Sequence, residues 1–270
     1  MKPLRPDLAL GARGGPLIVG ALGEVLQSVG STMDVARERL RAGAPDGYVV
    51  LAEHQTAGRA REGTWQCPAS RGILAGIVLR LGLPKSEQKI VGIMGAVAAV
   101  EAVRKFGVQA QIKWPNDVVV SRKGPGPLAI KKLGGVLVER VLRGDAAPGY
   151  VLGIGLNVNQ SPEELPPQTR VPPTSMRIEA DQEFDRNAVC RALLEELNGW
   201  YRRLAMGQHE HLLARWRRRS CLLDREVSAR VGGRVVTGIV SGIRSTGELI
   251  LQDRDGRRLL LSDEKAKLLL

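Results

Sequence analysis

Between positions 90 and 103 the chain places Ile90, Val91, Met94, Val97, Val100 and Val103 at helical spacing, with almost no polar residue before Glu101. This spacing predicts a helix, and Gly107 ends it. A helix that is apolar all round has no face for water, so something must cover it. The longest apolar stretches, 72–79 and 90–100, fall short of the roughly 20 residues that span a bilayer. Strand signals concentrate at 48–82 and 112–159, on either side of the helix, so the cover is a sheet. The fold expected is α+β: a mixed β-sheet packed with helices.

The 270 residues can bury a good core, and a hydrophobic fraction of 43% argues against disorder. Pro-rich 162–173 reads as a loop, and Asp185 caps a further helix carrying Leu194, Leu197, Tyr201 and Leu204. After Cys221 the pattern changes to short alternating strands. Val227, Ala229 and Val231, a Gly232-Gly233 turn, and runs at 235–239, 249–251 and 259–261 make a small β unit. The division expected is 1–220 and 221–270.

Five polar clusters sit where apolar segments begin or end. Lys113-Trp114-Pro115-Asn116-Asp117 lies between Ile112 and the β-branched run Val118, Val119, Val120. Pro115 biases Trp114 toward extended backbone and Pro-Asn-Asp is turn chemistry, so a rigid corner at a sheet edge carries one cation and one carboxylate. Lys113 is expected at a surface site. Gly30-Ser31-Thr32-Met33-Asp34 enters a helix that Ser31, Thr32 or Asp34 caps, with Val35, Ala36 and Leu40 on one side. In Gln55-Thr56-Ala57-Gly58-Arg59-Ala60-Arg61, the two arginines stand two residues apart and point the same way in extended chain, so both forks face one polyanion. Lys131-Lys132-Leu133-Gly134-Gly135 puts a cation before two glycines that let backbone approach a ligand. Gly153, Gly155, Asn157 and Asn159 share one strand face, a floor of small groups and amides. Neither a P-loop nor a complete dinucleotide fingerprint is present.

In this order the five clusters resemble the biotin protein ligases, including holocarboxylase synthetase, over nearly the whole chain. The resemblance implies a class II synthetase-like catalytic domain with a small C-terminal SH3-like β-barrel. It implies ATP and biotin as substrates with Mg²⁺, biotinyl-5'-AMP as intermediate, and a biotin carboxyl carrier protein or domain as acceptor. It assigns biotin to Ser31, Thr32, Met33, Gln55, Gly58, Arg59, Ala60, Arg61, Trp65, Lys132, Gly134 and Gly135. ATP and the adenylate fall to Arg59, Arg61, Lys113, Asn116, Lys132 and Asn157, and Asp117 positions the acceptor amine. The catalytic set is Lys113, Arg59, Arg61 and Lys132. A carboxylate is a poor electrophile until it becomes a mixed anhydride with AMP, so alignment and charge stabilisation at phosphorus suffice and no enzyme nucleophile is needed. A homodimer is an expectation from the family alone.

Four departures from the family pattern stand out. Met33 replaces a commoner asparagine, Ala60 replaces a glycine, the segment between Arg61 and Trp65 is one residue short and lacks a third basic residue, and the chain ends in LSDEKAKLLL.

A net charge of +12 raises the rival reading of a basic nucleic-acid-binding protein. Only about 30 residues precede Ser31, too few for the DNA-binding domain of some relatives, so no specific DNA binding is expected. The run Arg215 to Arg219 reads as a helix end or linker, and a basic surface suits an acidic carrier domain. Cys67, Cys190 and Cys221 are odd in number and scattered, which gives neither a disulfide framework nor zinc spacing and points to the cytoplasm. His209 and His211 read as a solvated helix end, and no protein ligand set for a metal is apparent. Lipoate and octanoate ligases or transferases of the same superfamily are the enzymatic alternative, and a biotin-binding module without ATP dependence is the third.

Overall fold

The computed structural model describes residues 2–11, 18–61, 63–121, 128–143, 146–167, 169–262 and 266–269. Its centre is a seven-stranded sheet of β1 (Gly23–Val29), β2 (Val49–Gln55), β3 (Gly72–Leu79), β4 (Ala110–Lys113), β5 (Asp117–Ser121), β6 (Ile130–Arg143) and β7 (Ala146–Asn157), in the order β1-β2-β3-β7-β6-β5-β4. Only β1 and β2 run parallel, joined through helix α2 (Thr32–Arg41); the other pairs are antiparallel. The mixed, helix-packed sheet is the one the sequence predicts. Strand β1 was not foreseen: its half-buried residues alternate weakly, and its partner lies beyond a helix.

The apolar helix is α3 (Lys89–Arg104), with twelve of its sixteen residues buried, so its sides meet protein all round. It packs on one face of the sheet together with α5 (Arg186–Ala205) and α6 (His209–Arg219). Ile112, Val136, Tyr150, Leu152, Ile154 and Leu156 fill that face. Asp185 caps α5 by accepting from the Asn187 backbone N–H, as predicted. The two short helices α1 (Pro6–Ala9) and α4 (Met176–Ala180) complete the set of α-helices among the described residues.

The opposite face carries α2 and a smaller core of Met33, Ala36, Leu40, Val50, Val78 and Val151. Here the alternation along β7 matters. A Cβ at Gly149 would lie 2.8 Å from Leu40 and one at Gly153 2.6 Å from Met33 Sδ, so glycine alone lets α2 lie this close. The helix covers only part of this face, and the candidate site opens beyond its N-terminus.

The C-terminal unit is a five-stranded antiparallel sheet, β8 (Glu226–Val231), β9 (Arg234–Ile243), β10 (Leu249–Gln252), β11 (Arg258–Leu261) and β12 (Ala266–Leu269) in the order β11-β10-β9-β8-β12.

 Its last strand, β12 (Ala266–Leu269), pairs with β8 and was not foreseen, because the pairing joins segments nearly forty positions apart. Two bonds tie this unit to the large sheet: buried Trp114 donates from Nε1 to the Gly247 carbonyl at 3.0 Å, and the Cys221 N–H donates to Ile112 at 2.9 Å. The basic run of α6 reads as the predicted helix end. Arg215 and Arg219 pair with Glu101 of α3 at 3.2 and 2.7 Å, so part of that charge is used inside the fold.

Candidate active site

The turn after β4 carries the chemistry. Lys113 and Asp117 are paired across the β4–β5 hairpin, with Trp114-Pro115-Asn116 between them and a cis bond at Trp114-Pro115. Asp117 receives Lys113 Nζ on Oδ2 at 3.2 Å and Lys132 Nζ on Oδ1 at 2.6 Å. Lys113 is not the surface residue expected from sequence: its side chain is only 12% exposed and Asp117 only 13%. Burial alone would push the Asp117 carboxyl up. The Lys132 and Lys113 ammonium groups outweigh it and hold the carboxyl below its usual range. Two cations on one carboxylate leave a net positive site, suited to an anion.

The sign of this shift gives a pH prediction. Because the folded value is depressed, the stability from the cluster is present above the unfolded carboxyl value of 3.8 and is lost as pH falls below it. The difference in unfolding free energy between wild type and Asp117→Asn is therefore expected to shrink in acid titration below about pH 4. A constant difference down to pH 2 would show that Asp117 does not titrate as part of this cluster.

Lys113, Asp117 and Lys132 line one end of a cavity of about 480 Å³. Leu74, Ala75, Val136, Leu137 and Ile154 give it apolar wall. Ser31, Thr32 and Met33 form another part, where Ser31 caps α2 by accepting from the Met33 N–H at 3.3 Å. Gln55 Oε1 accepts from both the N–H and the hydroxyl of Thr32, at 2.7 and 2.9 Å, which fixes the amide at the cavity edge. Trp65 lies over the glycine floor: a Cβ at Gly155 would be 2.6 Å from its ring, and Lys132 Nζ stands 5.9 Å from the ring centroid. The buried Trp65 Nε1 donor has no partner among the described residues.

Other predicted residues fall into place less simply. Gly135 lines the cavity, but Gly134 does not; a Cβ there would meet Leu156 on the core face, since successive strand residues point to opposite sides. Gly58 lies outside this lining and serves the loop neck, where the Trp65 N–H donates to its carbonyl at 2.9 Å and a Cβ would strike Trp65 O at 2.3 Å. Asn116 lines the cavity while its Nδ2 donates to the Val136 carbonyl, and Asn157 donates to Thr174 O at 2.9 Å. Asn159 does not join the floor. Strand β7 ends at Asn157, and Asn159 turns to pair its amide with the Phe184 backbone at 2.8 and 2.9 Å.

The arginine pair lines the cavity together, as the spacing predicts, and an antiparallel bridge joins Arg59 to Thr64. Arg59 also reaches Asp34 Oδ1 at 3.0 Å and Glu139 Oε1, and Arg61 also lines an adjoining cavity. That second cavity, about 680 Å³, lies between the two sheets and shares Arg61, Asn116, Val136 and Leu137 with the first.

Sequence reasoning missed the wall formed by Pro166, Thr169, Arg170, Val171 and Pro173. This loop docks along β6, the Lys132 N–H donating to Pro172 O at 2.7 Å and the Thr174 N–H to Lys132 O at 2.8 Å. Proline richness marks a loop but does not say where it lies. Asp34 belongs to a cluster singled out in the sequence, but its pairing with Arg59, like that of Glu139, was not foreseen.

A cavity with an apolar wall, a fixed amide at its edge and two lysines in its lining suits a small, partly apolar molecule held beside an anion. The chain itself matches the family described as Biotin/lipoate A/B protein ligase over residues 25–157 and the Biotin protein ligase C terminal domain over 222–262. It is 33% identical over 249 residues to the biotin--[acetyl-CoA-carboxylase] ligase of Mycobacterium tuberculosis, covering 88% of this chain and 86% of that one. It is 29% identical over 234 residues to the bifunctional ligase/repressor BirA of Bacillus subtilis, covering 86% and 70%. The fold is similar to that of the biotin protein ligase from Aquifex aeolicus solved with biotin and ATP, with a TM-score of 0.74 at 23% identity over 92% of this chain and 98% of that one. The chain belongs to the biotin protein ligase family.

Proposed function

We propose that the chain activates biotin with ATP as biotinyl-5'-AMP and transfers the biotinyl group to a lysine of a biotin carboxyl carrier protein. The observation that carries this reading is the Lys113–Asp117–Lys132 cluster in the lining of the cavity, beside its apolar wall. In the first step a carboxylate oxygen of biotin bonds to the α-phosphorus of ATP while the bond to the β-phosphate oxygen breaks and pyrophosphate leaves. Lys113 and Lys132 offset the charge that builds on the α-phosphoryl oxygens, and Arg61 faces the same space. In the second step the lysine amine attacks the biotinyl carbonyl, an amide forms, and AMP departs with the electron pair of the anhydride bond. Asp117, whose carboxyl the two ammonium groups hold below its usual range, is the group we assign to receive that amine.

Biotin's ring fits between Trp65 and the edge formed by Thr32, Met33 and Gln55. Met33 is 3% exposed, so this part of the pocket is apolar where an amide is commoner in relatives. Asn116 and Asn157 border the nucleotide. Mg²⁺ enters with the triphosphate, since the described residues offer no group of three metal-binding side chains and Asp117 is already paired. Burial pushes the thiols of Cys67, Cys190 and Cys221 up to about 12, so none is a ready thiolate for a covalent acyl-enzyme, which favours direct transfer from the adenylate. The division at 220/221, a cytoplasmic location, a possible homodimer and the lack of a specific DNA target belong to the same reading. Three free, buried thiols support the location, and no helix among the described residues is long and apolar enough to cross a membrane.

The test is pyrophosphate release from ATP and Mg²⁺ by the purified protein given biotin, lipoate or octanoate separately. Release with biotin alone is expected. Release with lipoate or octanoate instead would move the chain to the sister branch, and release with none would overturn adenylation.

A further inference from the structure

Four charged side chains close a square beside the cavity, and only Arg59 among them comes from the arginine loop. Glu139 of β6 binds Arg37 of α2 through Oε2 at 2.7 Å and Arg59 through Oε1. Asp34, in the first turn of α2, accepts on one oxygen from Arg37 at 2.9 Å and from Arg59 at 3.0 Å. The Glu139 side chain is 23% exposed and that of Arg37 25%, so water screens this half of the square only in part. Both carboxylates stand on regular elements packed in the same small core. Arg59 and Arg61 both line the first cavity, and Arg61, two residues further along the loop, lines the second as well.

We propose that Glu139, with Asp34, is a positioning residue for retention of the adenylate: it holds Arg59 so that the loop is drawn over the cavity and Arg61 is presented to the phosphate. The inference rests on the adenylating reading above. Ordering a loop costs conformational entropy when a ligand arrives, and a loop already tethered loses less. The tether here consists of charge-assisted bonds to two carboxylates, Asp34 on α2 and Glu139 on β6. Arg59 then acts through those carboxylates, and the phosphate contact belongs to Arg61.

The experiment uses the full chain and Glu139→Gln, which keeps the shape and removes the charge. Without ligand, tryptic cleavage after Arg59 and Arg61 is expected to become about fivefold faster, the scale of an ion pair partly shielded from water. With biotin and MgATP, dissociation of preformed biotinyl-AMP is expected to quicken by about the same factor, with first-turnover pyrophosphate release changed less than about twofold. Asp34→Asn should behave alike. In an Arg59→Ala background, adding Glu139→Gln should change retention no further, since the shared partner is gone. Additive effects of the two substitutions, or wild-type retention in Glu139→Gln, would overturn the proposal. Failure of the underlying reading looks different: the wild-type protein would release no pyrophosphate, while the tryptic difference would persist.

Discussion

Lys113→Ala is expected to lower the rate of adenylate formation by about 100- to 1,000-fold, the scale for removing one aligned donor from a site that stabilises developing charge. The argument is geometric. Lys113 ends β4 directly opposite Asp117, and its ammonium stands 3.2 Å from that carboxylate at the end of the cavity. The fold should survive, because Lys132 still neutralises Asp117 at 2.6 Å. The measurement is single-turnover pyrophosphate release beside a thermal melt. A variant that melts normally and adenylates at full rate would remove Lys113 from the chemistry; one that fails to fold would instead show that the cluster is structural.

Arg186→Ala is expected to destabilise the protein by about 3–5 kcal/mol, the cost of leaving a buried charge without its partner. Arg186 is 1% exposed and donates to Glu53 Oε2 at 2.7 Å, to the Lys2 carbonyl at 3.0 Å and to the Gly72 carbonyl at 3.2 Å. Glu53, 4% exposed, also receives the Leu4 N–H and the Ser70 hydroxyl. Removing the guanidinium would leave a buried carboxylate with neutral donors only. Glu53 sits two residues before Gln55, so the damage would reach the pocket edge as well as the core. Urea unfolding followed by circular dichroism measures the loss; a change below about 1 kcal/mol would mean that water enters and replaces the arginine.

Much of the architecture was legible because its causes are local. The all-apolar helix could exist only under cover, and α3 lies there. Ser31 and Asp185 cap helices because their side chains reach backbone N–H groups within two residues. The turn between Lys113 and Asp117 was readable from Pro115 and Asn116, and the glycines at 153 and 155 from the two-residue period of a strand. Where that period was not applied the reading failed: Gly134 and Gly135 were both assigned to the ligand, yet neighbours in a strand face opposite ways. Asn159 failed for a related reason, since the period holds only while the strand lasts and β7 stops at Asn157.

By itself, then, the chain order of residues determined the long apolar helix, most of the strands, the corner that joins a cation to a carboxylate, and the family to which these patterns belong. Only the tertiary structure decided that Lys113 is nearly buried, that Lys132 shares its carboxylate, that Arg59 turns to Asp34 and Glu139, and that a proline-rich loop walls the cavity. The physical reason is reach. Caps, turns and alternation act over two to four residues, whereas Arg37 meets Glu139 across 102 positions and Arg186 meets Glu53 across 133. Contacts at that separation exist only once packing has brought the elements together.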